Sequence, residues 1–408
     1  MRVSCLEATG RVGGRIRTGH DPLASFPVEL GAEFIHGRSP DIWRLIESAG
    51  LIAYERTARA LYIEEGGEAR HAKLDEFSEP VLARLAESER RQDESFDNFL
   101  RRSHQPAKLK NWARAYVEGF NAARKERISV RSLKQDAIAA DEIEGDHVFK
   151  LLGGYDSLVR HLVGSIPDHR SVVRLHFVVE GVQWRRGRVT VHFRSSLHNS
   201  QGSLHAKRLI VTVPLGVLRA EVGDAGAIHF DPEPLAIRQA ARSLEFGQVY
   251  RMTFRFRDPF WENDPRFRGT GFWLSHERLF PTWWTNHPVL TPTVTGWSAG
   301  PAADPLLGIG RREVVSAALA SLAKIIGRKI PRPLAAYFHD WQADPFFGGA
   351  YSYVPVNAMP AREILARPVD KTLFFAGEAT DTHGHGATVH GAISSGMRAA
   401  RQVQEATA

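Results

Sequence analysis

The chain has 408 residues, of which 43% are hydrophobic and 24% are charged, as in ordinary globular proteins with two or more domains. No apolar run approaches the roughly 20 residues that span a bilayer, and no signal-peptide pattern opens the chain. The single cysteine, Cys5, excludes an intrachain disulfide and a cysteine-based metal cluster. We therefore expect a cytoplasmic protein, in a reducing compartment and without a membrane partner.

The charged residues comprise 53 basic and 46 acidic side chains, which gives a net charge of +7. They are interspersed, and no basic stripe alternates with aromatic residues, so no nucleic-acid partner is expected. His383, His385 and His390 are close in sequence. Their glycine-rich spacing is poor for a metal site, and no metal is expected.

The first elements are short. Residues 3–6 form a predicted strand that ends at Glu7, and a glycine-rich loop follows over residues 9–15. Residues 26–35 are predicted to be extended, and residues 40–50 to be helical.

A long helical region is predicted from about residue 75 to residue 145, because apolar residues recur there at three- and four-residue spacing. A shorter helix is predicted over residues 157–163. Alternating apolar residues then predict strands over residues 172–179, 181–184, 189–193 and 208–213. Polar, turn-forming residues predict loops over residues 185–188 and 195–203.

The C-terminal half begins with a long alternating strand over residues 245–256, and further strands are predicted within residues 270–299. A helix is predicted over residues 311–326. Near the end, the apolar run 373–376 breaks at Gly377 and Glu378, and a glycine-rich turn leads into a helical pattern. Such a strand–turn–helix aims backbone N–H groups and a positive helix dipole at an electron-rich ligand.

The two ends of the chain therefore resemble each other, and the middle differs. This pattern predicts an α/β protein in which a cofactor domain is assembled from separated pieces and a mixed α+β substrate domain is inserted between them. The predicted cofactor domain comprises residues 1–48, 146–220 and 356–408. The predicted substrate domain comprises residues 49–145 and 221–355.

The N-terminal loop has the residue types of a nucleotide site. A carboxylate at a strand end, such as Glu7, binds ribose hydroxyls in dinucleotide-binding folds. Gly13 and Gly14 allow close approach of the backbone to a ligand, and Arg15 offers a planar fork for phosphate oxygens. Alone this loop means little, but its combination with the motifs at residues 30–33 and 377–378 is far more specific.

In order and spacing, the motifs resemble the flavin-containing amine oxidase family, which includes monoamine oxidases, polyamine oxidases and lysine-specific histone demethylases. The likeness spans nearly the whole chain. The matching segments are residues 6–8, 11–15, 29–37, 153–155, 209–218, 348–353 and 373–392.

The resemblance implies an FAD cofactor bound in a Rossmann-like domain. It implies that Glu7 binds the adenosine ribose, Arg15 the pyrophosphate, and the backbone of Val179 the adenine. It also implies that Glu378 reaches the ribityl or pyrophosphate region. The other implied cofactor-binding residues are Arg11, Gly13, Gly14, Gly31, Ala32 and Gly377, together with Thr388 and Val389, whose backbone would face the flavin C2 carbonyl.

The sequence departs from the family pattern in three ways. Family members begin with a strand and a G-x-G-x-x-G loop, whereas this sequence starts inside the expected second strand, so the expected FAD domain lacks roughly 30 residues of that unit. Arg251 occupies the position of the usual lysine near flavin N5, and it is assigned a catalytic role or, alternatively, a carboxylate partner. Ala350 stands where covalent members carry a cysteine, which implies non-covalent FAD.

The resemblance also implies a substrate site. Tyr351 matches one wall of the aromatic cage of monoamine oxidases, and its ring would hold the amine. Thr388 falls at the opposite wall, where a small residue opens the cavity. His36 and Glu33 are candidate substrate-binding residues, the latter as a partner for an ammonium group. Trp283 and Trp284 either line a tunnel or pack in the core.

Three functional hypotheses follow. The first is oxidation of a polyamine or another primary or secondary amine, with hydride transfer to FAD and reoxidation by O₂ to give H₂O₂. The second is an amino-acid oxidase or related flavin dehydrogenase on the same fold, motivated by Arg251. The third is a flavin-free remnant without catalysis. The sequence leaves the specific substrate and the oligomeric state open.

Overall fold

The computed structural model describes residues 2–24, 26–64, 66–87 and 92–407. Its helices are α1 Pro40–Ser48, α2 Glu79–Ala86, α3 Phe96–Arg102, α4 Ala107–Phe120, α5 Val130–Asp141, α6 Asp156–Gly164, α7 His169–Val172, α8 Leu215–Arg219, α9 Leu235–Ser243, α10 Arg311–Ile326, α11 Pro360–Ala366 and α12 Val389–Glu405.

The strands are mostly short. They are β1 Cys5–Glu7, β2 Thr18–Gly19, β3 Val28–Glu29, β4 Ile35–His36, β5 Ala53–Glu55, β6 Arg59–Ile63, β7 Ala69–Lys73, β8 Val148–Leu151, β9 Val173–Leu175, β10 Phe177–Arg185, β11 Arg188–Ser195, β12 Ser200–Ala206, β13 Leu209–Val211, β14 His229–Asp231, β15 Glu245–Phe246, β16 Val249–Arg255, β17 Phe272–Ser275, β18 Thr282–Trp284, β19 Thr293–Ala299, β20 Ala335–Tyr337, β21 Ser352–Tyr353 and β22 Leu373–Phe375.

Parallel pairs connect distant parts of the chain. Strand β1 runs parallel to β9, and β13 runs parallel to β22. Next to them, an antiparallel meander has the order β12-β11-β10-β14, in which only the β10–β14 contact is parallel. The C-terminal helix α12 packs its Ala399 and Val403 on Phe374 of β22. Each parallel pair thus joins segments that are far apart in the chain, within an α/β fold.

The largest sheet is formed by the middle of the chain, in the order β20-β16-β19-β18-β17-β6-β7. Its core is rich in aromatic residues because Trp261, Trp273 and Trp283 are fully buried against helix α10. Helices α2 to α5 pack around a separate cluster that includes Val81, Phe96 and other apolar residues. Among the described residues, no helix combines the length and the apolar character needed to cross a bilayer.

Most predicted elements are present, including helix α10, whose observed bounds equal the predicted ones. The predicted loop 195–203 is wrong in its second half, because β12 begins at Ser200 and pairs with β11 over its full length. Strands β5, β6 and β7 were not predicted. The expected domain boundaries stay a prediction.

The predicted strand 245–256 is interrupted at Gly247. There the backbone leaves the large sheet, since the N–H of Gly247 donates to the carbonyl oxygen of Tyr351 at 2.7 Å. A Cβ atom on Gly247 would lie 2.5 Å from the Cβ of Ala122, so only glycine fits this close approach. The break places Tyr351 beside the start of β16.

A second close approach joins the N-terminal loop to residues 30–32. The N–H of Ala32 donates to the carbonyl oxygen of Arg15 at 3.0 Å, and the N–H of Leu30 donates to that of Arg17 at 2.7 Å. A Cβ on Gly31 would lie 1.9 Å from the carbonyl oxygen of Arg15 and 2.9 Å from the ring of Trp341. The glycine therefore sets the distance between these two segments.

We predict that Gly31→Ala lowers the free energy of unfolding by about 2–3 kcal/mol, because the backbone must move to make room for the methyl group. Urea denaturation measures the change. Gly153→Ala is the matched control, since nothing lies within 4 Å of its Cβ position. Equal stability of the two variants would contradict the close packing at Gly31.

Candidate functional site

A single cavity of about 1570 Å³ brings the two chain ends together with the middle of the chain. This volume exceeds the roughly 300–1,000 Å³ of ordinary ligand pockets. Nearly all predicted site residues line it: Glu7, Gly13, Gly14, Arg15, Gly31, Ala32, Glu33, His36, Val179, Arg251, Tyr351, Gly377, Glu378, Thr388 and Val389. Arg11 is not among the lining residues.

Arg11 stabilises the glycine-rich loop through hydrogen bonds to its backbone. Its guanidinium donates to the carbonyl oxygens of Gly14 at 2.5 Å and Ile16 at 2.9 Å. Glu7 ends β1, and its Oε1 accepts hydrogen bonds from the backbone and the hydroxyl of Thr9. The loop is therefore ordered by its own side chains, and its backbone faces the cavity.

An ion pair between Arg15 and Glu378 joins the two ends of the chain at the cavity. Nη1 of Arg15 donates to Oε1 of Glu378 at 2.9 Å and to the carbonyl oxygen of Ala350 at 2.5 Å. Oε2 of Glu378 accepts from the hydroxyl of Ser352 at 2.6 Å and from the N–H of Ala387 at 3.0 Å. Although burial opposes it, Arg15 and Ser352 lower the pKa of Glu378, so this side chain is an anion.

Helix α12 points its N-terminus into the same cavity. Thr388 is the N-cap residue, and its Oγ1 accepts from the N–H of Gly391 at 3.0 Å. The N–H groups of Val389 and His390, in the first turn, have no partner within the helix. Together with the helix dipole, these donors favour negative charge in the adjacent part of the cavity.

A buried cluster of charges lies at the far side of the cavity, and we call it the Glu33 cluster. It consists of Glu33, Lys150, Arg251 and Trp284. Oε2 of Glu33 accepts from Nη2 of Arg251 at 2.5 Å and from the indole nitrogen of Trp284 at 3.0 Å. Oε1 accepts from Nζ of Lys150. Both carboxylate oxygens are thus occupied by side chains of the protein.

The electrostatics of this cluster keep Glu33 ionised. Burial alone would raise the pKa of Glu33, but Arg251 and Lys150 lower it to about 2. Arg251 forms an ion pair with a carboxylate, which the sequence analysis gave as the alternative to a catalytic role. Glu33, expected to bind a substrate ammonium group, instead ties residues 29–33 to strand β8 and to strand β16 of the large sheet.

The aromatic wall of the cavity surrounds His36. Its ring lies edge-on to Phe120 at 5.4 Å and to Phe34 at 6.1 Å. Burial lowers the pKa of His36 to about 4, so the imidazole is neutral at physiological pH. The hydroxyl of Tyr351 donates to the carbonyl oxygen of Phe120 at 2.6 Å. Phe34, His36, Phe120 and Tyr351 therefore form a continuous, uncharged surface.

Sequence reasoning did not identify Lys150, Arg56 or Phe120. A lysine inside the apolar run of β8 is a signal of a buried ion pair, but the sequence does not name its partner. Of the two tryptophans expected either to line a tunnel or to pack in the core, Trp283 is fully buried in the core and Trp284 lines the cavity. Among residues 2–24, 26–64, 66–87 and 92–407, no group of acidic, histidine or cysteine side chains is arranged to hold a metal.

A sequence model of the family described as flavin containing amine oxidoreductase matches residues 1–404. The chain belongs to this family. Its α/β fold is also that of solved amine oxidases. The superposition on putrescine oxidase bound to putrescine has a TM-score of 0.80 at 20% identity, and it covers 99% of this chain and 93% of that chain. The cyclohexylamine oxidase of Brevibacterium oxydans gives the same score, identity and coverage.

The curated relatives include proteins named as lysine-specific histone demethylases and proteins named as polyamine oxidases. Lysine-specific histone demethylase 1 homolog 2 of rice is 29% identical over all of this chain and 54% of its own length. Lysine-specific histone demethylase 1 homolog 3 of Arabidopsis is 28% identical over 98% of this chain, which spans only 28% of that protein. Polyamine oxidase 1 of rice is 28% identical over 99% of this chain and 92% of its own length.

We predict that Glu33→Gln lowers the free energy of unfolding at pH 7 by about 3–5 kcal/mol, because it leaves buried cations without their anion. The pKa of Glu33 is 4.5 in the unfolded chain and about 2 in the folded protein. Its contribution to stability should therefore be fully present above pH 4.5 and should disappear as the pH falls towards about 2.

Urea denaturation at several pH values measures this effect. Glu144→Gln is the matched control, because Glu144 forms an exposed pair with Arg38 and should cost about 1 kcal/mol or less. If the two variants were equally stable at pH 7, the Glu33 cluster would not carry the stability assigned to it.

Proposed function

We propose that this protein oxidises an amine, either a polyamine or another primary or secondary amine, to the imine, with FAD as the electron acceptor and O₂ as the final oxidant. The observation that carries the proposal is the convergence of both chain ends on one cavity, where Arg15 and Glu378 meet although 363 positions separate them. A flavin family with amine-oxidising relatives supports the same function.

The residues present fit a dinucleotide. Gly13 and Gly14 have φ values of 106° and 57°, which expose the loop backbone to the cavity. Arg15, whose guanidinium binds Glu378, also lines the cavity beside this loop. We propose that Glu7, Gly13, Gly14, Arg15 and Val179 hold the nucleotide end.

At the other end, the first turn of α12 would hold the ring system. Its unpaired N–H donors suit a carbonyl group that gains negative charge on reduction. Ala350 is buried and offers no nucleophile, so we propose that FAD is bound non-covalently. When bound, FAD supplies the acceptor for a hydride and the route of the two electrons to O₂, which yields H₂O₂.

The chain's own residues would position the amine. Tyr351 and the neighbouring rings of the aromatic wall offer apolar faces to the substrate carbon chain. Both oxygens of Glu33 are engaged, and His36 is neutral, so the amine would bind as the free base. The carbon next to nitrogen then loses a hydride while the nitrogen lone pair forms the C=N bond, which gives the protonated imine. Water hydrolyses this species to a carbonyl compound and the free amine or ammonia, with release of one proton.

We predict that the purified protein, or the protein incubated with FAD, shows the visible absorption bands of oxidised flavin. Acid precipitation should release all of this flavin into the supernatant, because Ala350 cannot form a thioether. Flavin that remained attached to the precipitated protein would contradict non-covalent binding. A protein that stays colourless with excess FAD would refute the proposed function and favour the flavin-free alternative.

We predict that Tyr351→Leu lowers kcat/KM for amines by about tenfold, because it removes the ring that would face the amine. Tyr351→Phe is the matched control. It keeps the ring and loses only the hydrogen bond to Phe120, and it should stay within about threefold of the parent. Steady-state H₂O₂ production measures both, and equal activities of the two variants would remove Tyr351 from the substrate site.

A further inference from the structure

Arg56 and Arg251 line the cavity, and Lys150 lies behind them on the opposite oxygen of Glu33; we call these three cations the positive wall. Their exposed fractions are 4%, 8% and 5%, and that of Glu33, the carboxylate between them, is 7%. The two guanidinium groups remain charged at any physiological pH. Glu33 balances one of them, so the wall carries a surplus of buried positive charge even without Lys150.

The wall also has donors without acceptors. Nη2 of Arg56 donates to the carbonyl oxygens of Gly271 at 3.0 Å and Thr285 at 2.5 Å. Its Nε and Nη1, like the Nε of Arg251, have no hydrogen-bond partner in the part of the chain that the structure describes. Both arginines line the cavity. Buried donors left in this condition are costly, so the positive charge of both arginines is incompletely compensated by the protein.

The surroundings do not neutralise the wall. The guanidinium of Arg56 lies over the rings of Phe34 at 5.2 Å and Phe272 at 4.5 Å, in an apolar environment where its charge is weakly screened. Burial raises the pKa of Glu29, the second nearby carboxylate, to about 7, so it offsets the surplus only in part. Glu55, next to Arg56, is engaged by Nδ1 of His147 at 2.6 Å.

We propose that the positive wall selects an amine that also carries a carboxylate group over an amine that carries a second ammonium group. This inference rests on the proposed function, because the amine would be oxidised in the same cavity. A negative substituent gains free energy from the wall, and a second cation loses it. The carboxylate takes no part in the chemistry, since no bond to it forms or breaks.

The test compares substrates with the same five-carbon chain: pentylamine, 1,5-diaminopentane, 5-aminopentanoate and 2-aminopentanoate. We expect the better of the two amino carboxylates to exceed the diamine in kcat/KM by at least about tenfold. Isothermal calorimetry of the flavin-loaded protein should give the same order of affinities. The preference should persist at about 0.5 M NaCl, because salt screens exposed charges and not buried ones.

Variants of the wall isolate its contribution. Arg56→Met should reduce the ratio of amino carboxylate to diamine by about tenfold, whereas Arg56→Lys, which keeps the charge, should retain it within about threefold. Arg59→Met is the matched control, because Arg59 is exposed and does not line the cavity. Arg56→Gln, which removes the charge but keeps an amide donor, replaces Arg56→Met if thermal unfolding shows that the latter does not fold.

The outcomes separate the two proposals. Equal or better use of the diamine, or a ratio unchanged in Arg56→Met, would overturn the selection by the positive wall while amine oxidation stands. If none of the four compounds, pentylamine included, is oxidised, the proposed function fails. The calorimetric order of affinities then still decides whether the wall prefers a carboxylate.

Discussion

The buried carboxylate of Glu33 is the constraint on which the arrangement of the cavity depends. It follows directly after the close approach of Gly31 to the N-terminal loop, and it binds Arg251 of the large sheet and Lys150 of β8. A single side chain therefore couples the segment that packs on the glycine-rich loop to the large sheet. Because the ion pairs are buried, any shift of one segment leaves charges unpaired at a cost of several kcal/mol.

A second ion pair, between Arg15 and Glu378, also joins distant segments of the chain beside the cavity. Arg15 and Glu378 bring together the N-terminal loop, the turn before α12 and the strand β21. The two ion pairs involve the two ends of residues 15–33, and both ends line the cavity. Aromatic residues fill the core of the large sheet, and the Glu33–Arg251 pair joins that sheet to the segment beside the glycine-rich loop.

The sequence contained enough information for the family and for the motif residues, nearly all of which line the cavity. Glycine-rich loops, a carboxylate at a strand end and an ordered series of motifs are local patterns, and the cavity contains nearly all of them. Helix α10 was predicted with its bounds because it is a long run of good helix formers and its ends are marked by glycines. Strand β12 was missed because its serine and glycine residues are typical of loops, and only pairing with β11 makes it a strand.

Partners across long sequence separations were not predictable in the same way. The sequence shows that Glu33 and Arg251 are charged, but the 218 positions between them hide that they neutralise each other. This pairing changes the chemistry of the site more than any single residue does. A free Glu33 would attract an ammonium group, whereas an engaged Glu33 beside surplus arginines repels one. The specificity that we propose for the cavity therefore depends on the net buried charge, which follows from the folded arrangement.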